Sequence, residues 1–193
     1  MRTKILLQLL SLVLLLAISI VAGCGSSIEE ETANNTEQST ETAADANIGH
    51  VAGKVAPNFS IKRLDGSDLV LNELRGKVVM IDFWDTWCPP CLRAMPHLQE
   101  LSEIYHDDLV VVGVSLGQQG AAKVQEYVNK TGITFEIVVL APGNTVLEDF
   151  GGITGIPTSF LLDADGVIRK VWTGGADLAT YEKAVKAALN PVS

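Results

Sequence analysis

From residue 51 onward, hydrophobic and polar positions alternate between two periods, and the switches mark the elements. Phe59 to Leu64 and Leu69 to Leu71 flank Asp65-Gly66-Ser67, a pattern that predicts a short hairpin. Val78 to Phe83 is an unbroken apolar run except for Asp82, as expected of a central strand covered on both faces. Pro89 to Tyr105 reads as a helix with proline at its start, where the missing N–H costs least. Pro96 is expected to kink it, because an internal proline removes a hydrogen bond and crowds the previous turn. A second buried strand spans Leu109 to Ser115. Ala121 to Lys130 follows as a helix with Val124, Tyr127 and Val128 on one face. Then come a short strand at Phe135 to Leu140 and a short helix at Thr145 to Phe150. Thr158 to Leu162 and Val167 to Trp172 are strands joined around Asp165-Gly166, a strong turn signal. Leu178 to Leu189 closes the chain as an amphipathic helix. Strands separated by helices, then a hairpin and a helix, predict an α/β fold with a mixed central sheet flanked by helices.

The first fifty residues follow neither period. Arg2 and Lys4 precede an apolar stretch, Ile5 to Val21, that ends in Val-Ala-Gly-Cys at Cys24. A basic start, an apolar middle and small residues at the end describe an export signal. Val21 to Cys24 also resembles the bacterial lipoprotein box. That resemblance implies cleavage after residue 23 and a lipid on the Cys24 sulfur. The alternative is an uncleaved membrane helix, for which the stretch is at the short limit. Either reading holds the domain outside the cytoplasm on a membrane, in the periplasm or at the outer cell surface. Residues 24–50 are rich in Ser, Thr, Asn, Ala and Glu, and carry six acids with no Lys or Arg. Such a segment recovers little ordering entropy and reads as a disordered, lipid-anchored tether. It accounts for much of the formal charge of −9. What remains, 51–193, is one mildly acidic domain, so nucleic acid is not an expected partner. The domain is expected to be a monomer.

The chemistry lies in Phe83-Trp84-Asp85-Thr86-Trp87-Cys88-Pro89-Pro90-Cys91. Cys88 and Cys91 stand where a buried strand gives way to a helix. Unpaired N–H groups and the positive end of the helix dipole favour a thiolate there, most of all at Cys88. Lowering a thiol pKa from about 8.5 to about 7 is worth roughly 2 kcal/mol and makes Cys88 the better nucleophile. Cys91, one turn along and nearer the interior, is suited to resolving a mixed disulfide. Pro89 and Pro90 lack N–H groups, so the Cys91 N–H becomes the main donor to Cys88. A moderate pKa depression and a reducing couple are expected, well below the roughly −120 mV of strong oxidants. A zinc site would need two further ligands, and His97 and His106 are spaced too widely for the usual pattern. A purely structural disulfide would close a very small loop and stabilise little.

Trp87-Cys88-Pro89-Pro90-Cys91 after an apolar strand, with Pro96 beyond it, resembles the thioredoxin superfamily, as does Gly155-Ile156-Pro157-Thr158 at the start of a later strand. The resemblance implies a thioredoxin-like fold in which Pro157 is cis and lies against the cysteines. It also implies that Trp87, Pro89, Pro90, Ile156 and Pro157 contact the substrate, with the Ile156 backbone aimed at an extended chain. Ala56-Pro57-Asn58-Phe59, Leu64-Asp65-Gly66, Gly76-Lys77 and Phe83-Trp84 are similar to the opening of the TlpA/ResA type of membrane-tethered thiol–disulfide proteins. The stretch 116–150 is similar to that type's helix–strand insertion. Implied partners are a membrane thiol-electron transporter as donor and exported protein disulfides, such as those of apocytochrome c, as substrate. No small cofactor or metal is expected, because the disulfide itself carries both electrons.

Two positions depart from that type. Where a glutamate is common, three residues after the second cysteine, this chain has Ala94. Asp82, in contrast, matches the buried aspartate of thioredoxin. A lone acid in an apolar strand has its pKa raised by desolvation and can take the Cys91 proton as the mixed disulfide resolves. Asp85 is expected to be a solvated acid at the rim, Trp84 and Trp87 to pack and shield the site, Arg93 to be exposed and Met95 to be core. A thiol peroxidase is the nearest competing function. Its reactive cysteine usually follows a threonine by three residues, and here that position is Asp85. A copper- or haem-delivery module using both thiols as soft ligands is the competitor from another class.

Overall fold

The computed structural model describes residues 47–190. In chain order the elements are β1 (Ser60–Lys62), β2 (Asp68–Val70), a 3-10 turn (Leu71–Leu74), β3 (Val78–Trp84), α1 (Pro89–Ile104), β4 (Leu109–Ser115) and α2 (Ala121–Thr131). They continue with β5 (Glu136–Val139), α3 (Val146–Asp149), β6 (Thr158–Leu162), β7 (Ile168–Thr173) and α4 (Leu178–Leu189). The signal and anchor expected at 1–23 and Cys24, and most of the tether, lie outside the described residues. Asn47 and Gly49, at the tether's end, already hydrogen-bond to Val55.

Five strands form one mixed sheet in the order β5-β4-β3-β6-β7. β3, β4 and β5 run parallel, whereas β6 and β7 are antiparallel to their neighbours. The hairpin β1–β2 is a separate two-stranded sheet, tied to β5 by a bridge between Arg63 and Val138 and by the Arg63–Glu136 ion pair at 2.6 Å. β3 lies at the centre, and all of its residues are buried.

The pleat of β3 divides the core in two. Val79, Ile81 and Phe83 face one hydrophobic cluster, which includes the tilted and edge-on rings of Phe59, Phe150 and Phe160. Val78, Met80 and Trp84 face the other, which holds Cys88, Cys91, Leu98 and Tyr181 beneath α1 and α4. Asp82 has the parity of Met80 and Trp84, so its carboxyl lies on the cysteine side of the sheet.

Local chemistry accounts for the ends of these elements. Gly132 closes α2 in the left-handed conformation, φ 71°. Asp177 caps α4 by accepting the Thr180 N–H at 2.8 Å. Between β6 and β7, Asp163 accepts the Asp165 and Val167 N–H groups and pairs with Arg169 at 2.6 Å, fixing the turn. Pro96 sits inside α1, which continues through it without a break.

Candidate active site

β3 ends at Trp84, and four residues lead to the start of α1. Cys88 is the N-cap of α1, with an extended backbone (φ −98°, ψ 96°), and its sulfur accepts the Cys91 N–H at 3.3 Å. Pro89 and Pro90 fill the first two helical positions. The Cys91 amide is thus the donor that the double proline leaves to Cys88. The two sulfurs form a disulfide (S–S 2.08 Å, Cα–Cα 5.3 Å). Cys91 is fully buried, and Cys88 exposes only 3% of its surface in this oxidised state. That is little exposure for an attacking nucleophile, and the facing loop covers it, with the Ile156 carbonyl in contact with the sulfur.

The facing loop is Gly155-Ile156-Pro157, and the Ile156–Pro157 bond is cis. The Ile156 carbonyl lies 3.6 Å from Cys88 Sγ. A disulfide sulfur has no proton to donate, so this is a contact; the same carbonyl is an acceptor for a Cys88 thiol. The loop after β7 completes the frame. A Cβ built on Gly175 would sit 3.5 Å from Ala94 Cβ and 3.8 Å from both Pro157 Cγ and the Pro90 carbonyl oxygen. Beside these contacts runs a groove of about 340 Å³ between Pro90, Arg93, Ala94 and His97 of α1 and residues Gly175 to Asp177.

Asp82 is completely buried. Its Oδ1 accepts the Ser159 hydroxyl at 2.5 Å, and Ser159 is its cross-strand partner on β6. Its Oδ2 has no hydrogen-bond partner among the described residues. Burial pushes the Asp82 pKa up to about 7, against the opposing pull of the Ser159 bond. Behind Ser159, the Tyr181 hydroxyl lies 3.3 Å from Ser159 Oγ and accepts the Ala176 N–H at 3.2 Å. Ser159 gives its one hydroxyl proton to Asp82, so Tyr181 is the donor to Ser159 and the protons run from Tyr181 to Ser159 to Asp82. Sequence reasoning found Asp82 and missed Ser159 and Tyr181. The only signal was a serine inside the otherwise apolar core of Thr158 to Leu162.

Asp85 is not a solvated rim acid. It is fully buried, and its carboxylate accepts the Thr86 N–H at 2.7 Å, the Thr86 hydroxyl at 3.2 Å and the Gln118 N–H at 3.1 Å. Its backbone carbonyl accepts the Cys88 N–H at 3.1 Å. Asp85 therefore ties the cysteine loop to the loop that leaves β4. The tryptophans also part company. Trp84 is buried against Tyr127, with ring centroids 5.4 Å apart, whereas Trp87 is 44% exposed and presents an aromatic face at the rim. Arg93 is exposed and Met95 is core, as expected.

A disulfide at the start of a helix, over a mixed sheet and opposite a cis-proline loop, defines a redox enzyme of thioredoxin-like fold. The chain belongs to the AhpC/TSA family, whose model matches residues 52–171. It is 39% identical over 124 residues to the thiol-disulfide oxidoreductase ResA of Halalkalibacterium halodurans, covering 64% of this chain and 69% of that protein. It is 32% identical over 136 residues to the thioredoxin-like protein YneN of Bacillus subtilis, covering 69% of this chain and 78% of that one. Among solved structures, a thiol:disulfide interchange protein of the thioredoxin family from Chlorobium tepidum superposes with a TM-score of 0.64 at 32% identity, over 70% of this chain and 96% of that one. The protein is a thiol–disulfide oxidoreductase of this kind.

Proposed function

We propose that the chain is an extracytoplasmic protein-disulfide reductase, held at a membrane by a lipid on Cys24, in which Cys88 is the nucleophile and Cys91 the resolving thiol. The observation that carries this reading is the placement of the Cys88–Cys91 disulfide under the cis Ile156–Pro157 loop, on the same sheet face as the buried Asp82.

In the reduced protein the Cys88 thiolate attacks one sulfur of a substrate disulfide. A mixed disulfide forms, and the other substrate sulfur leaves as a thiolate that takes a proton from solvent. Cys91 gives its proton to Asp82, directly or through water, and its thiolate attacks Cys88 Sγ; the second substrate sulfur leaves as a thiolate that takes its proton from Asp82 or from solvent. Two electrons pass to the substrate, and the protein is left with the Cys88–Cys91 disulfide. Asp82 supplies the carboxylate that Ala94 does not. A group titrating near neutrality is matched to both halves of that proton transfer. Trp87, Pro89, Pro90, Ile156 and Pro157 line the path of the substrate chain. A membrane thiol-electron transporter restores the dithiol, and disulfides of exported proteins, apocytochrome c among them, are the substrates.

The test is a direct comparison. Reduced protein is mixed with a disulfide-bonded polypeptide or with hydrogen peroxide, and loss of the Cys88–Cys91 dithiol is followed in each. The reductase reading predicts rapid oxidation by the polypeptide and slow oxidation by peroxide. The opposite order would establish a peroxidase.

A further inference from the structure

The two oxygens of Asp82 have different surroundings, and the difference comes from residues that the reaction above does not use. Oδ1 accepts the Ser159 hydroxyl at 2.5 Å, whereas Oδ2 is buried with no hydrogen-bond partner among the described residues. Ser159 is fully buried and held opposite Asp82 by the β3–β6 register. Behind it stands Tyr181 of α4, also fully buried, whose hydroxyl lies 3.3 Å from Ser159 Oγ. The Tyr181 ring is fixed by the edge-on ring of Trp172, centroids 5.2 Å apart, and its oxygen accepts the Ala176 N–H at 3.2 Å.

Each hydroxyl has a single proton. Ser159 gives its own to Oδ1, and Tyr181 gives its own to Ser159. Burial raises the Tyr181 pKa and the Asp82 charge adds to the rise, so Tyr181 stays a donor near neutrality. If Oδ1 carried the acid proton instead, both hydroxyls would have to turn round. The Tyr181 proton would then meet no acceptor, because its contacts among the described residues are Ser159 and the Ala176 N–H. Oδ1 is therefore engaged in both protonation states, and Oδ2 is the oxygen left to take a proton. Cys88, Cys91 and Tyr181 are the titratable groups on this sheet face. The β4 neighbour of Asp82 is Gly113, which has no side chain, and no cation shifts the Asp82 ionisation. His97, whose ring meets the Ala176 carbonyl at 3.3 Å, and Asp177 titrate beyond Tyr181, on the outer side of the chain of hydroxyls.

We infer that Ser159 and Tyr181 are positioning residues for the resolving step: together they hold the Asp82 carboxyl by Oδ1 and reserve Oδ2 for the Cys91 proton. The inference rests on the protein-disulfide reductase reading with Asp82 as proton acceptor. In this step the Cys91 S–H proton passes to Oδ2, directly or through water. The Cys91 sulfur bonds Cys88 Sγ as the bond from Cys88 to the substrate sulfur breaks, and that sulfur leaves as a thiolate. The Ser159 bond also favours the ionised carboxyl, which is the form that accepts a proton.

The test mixes the full reduced chain rapidly with a small aromatic disulfide whose thiolate is coloured. One equivalent is released as Cys88 attacks and a second as Cys91 resolves. The first phase counts reactive protein, and the second is followed from about pH 5 to about pH 9. In wild type the second phase should speed up with pH through the Asp82 midpoint, a step that Asp82→Asn should lose. Ser159→Ala should move the midpoint up by about half to one pH unit, slowing resolution about threefold to tenfold below it and little above it. Tyr181→Phe should move it the same way by less, and Ser159→Thr, which keeps the hydroxyl, should stay near the wild-type midpoint. An unmoved midpoint in Ser159→Ala and Tyr181→Phe, with the step lost in Asp82→Asn, overturns the positioning role alone; so does equal slowing at every pH, the mark of a packing defect. Should Ser159→Ala not fold, Tyr181→Phe decides by the same criterion. A step that survives Asp82→Asn, or is missing from wild type, overturns Asp82 as the acceptor and the inference with it. Absence of any second phase overturns the reductase reading.

Discussion

Asp82→Asn should make this protein more stable at pH 8 than at pH 4, relative to wild type, and the size of the difference follows from the burial of one carboxyl. Burial raises the Asp82 pKa from 3.8 to about 7 in the folded state. Below pH ~4 the carboxyl is protonated in both folded and unfolded chains and there is no penalty. As pH rises toward 7, the unfolded chain releases its proton while the folded one holds it, so stability falls. Above ~7 both states are ionised and the loss levels off. About three pKa units at roughly 1.4 kcal/mol each give a penalty on the order of 4 kcal/mol. Asparagine keeps the oxygen that Ser159 donates to and removes the ionisation. Its amide replaces Oδ2, which has no partner, and that costs about 1–3 kcal/mol at every pH. The quantity to read is therefore the change in ΔΔG between pH 4 and pH 8. Urea unfolding of the oxidised wild-type and variant proteins at pH 4, 6 and 8 supplies it, with m-values checking that the transition stays two-state. Ser159→Ala should move the pH step upward, because the Ser159 bond is what opposes the rise. A ΔΔG for Asp82→Asn that is constant within about 1 kcal/mol across this range would refute the reasoning.

Three other outcomes follow from the geometry. Asp85→Ala leaves the Thr86 and Gln118 amides without their acceptor and should cost about 2–4 kcal/mol in the same unfolding assay, with Asp85→Asn costing less. Gly113→Ala places a Cβ 2.8 Å from Ile137 Cδ1 and 3.0 Å from Trp84 Nε1, both in packed core. It should destabilise by about 1–3 kcal/mol, and a neutral result would contradict the packing described. Equilibration with a thiol buffer should give a couple well below about −120 mV, because Pro89 and Pro90 withhold two of the amides that would otherwise favour the Cys88 thiolate.

Much of this could be read from the sequence, and the parts that could not share one cause. β4, β6 and α4 fall where their apolar runs and helical period place them, since burial on two faces or one stripe leaves a pattern in the chain itself. Asp82 stood out because a single acid interrupts such a run. Asp85 was misread as solvated because its burial depends on Gln118, in a loop that packs on it from 33 residues away. Ser159 and Tyr181 escaped notice for the same reason. They meet Asp82 only once β6 pairs with β3 and α4 covers that sheet face, and a lone serine or tyrosine carries no trace of the register that brings them together.

The central claim is that the helix start acidifies Cys88 and leaves Cys91 as the slower, buried thiol. Alkylation of the reduced protein by a small haloacetamide, followed across pH with the modified cysteine identified by mass spectrometry, measures this directly. Cys88 should be modified first, with a midpoint below the ordinary thiol value, and Cys91 at least about tenfold more slowly. Modification of Cys91 first, or a Cys88 midpoint at or above the ordinary thiol value of about 8.5, would contradict it.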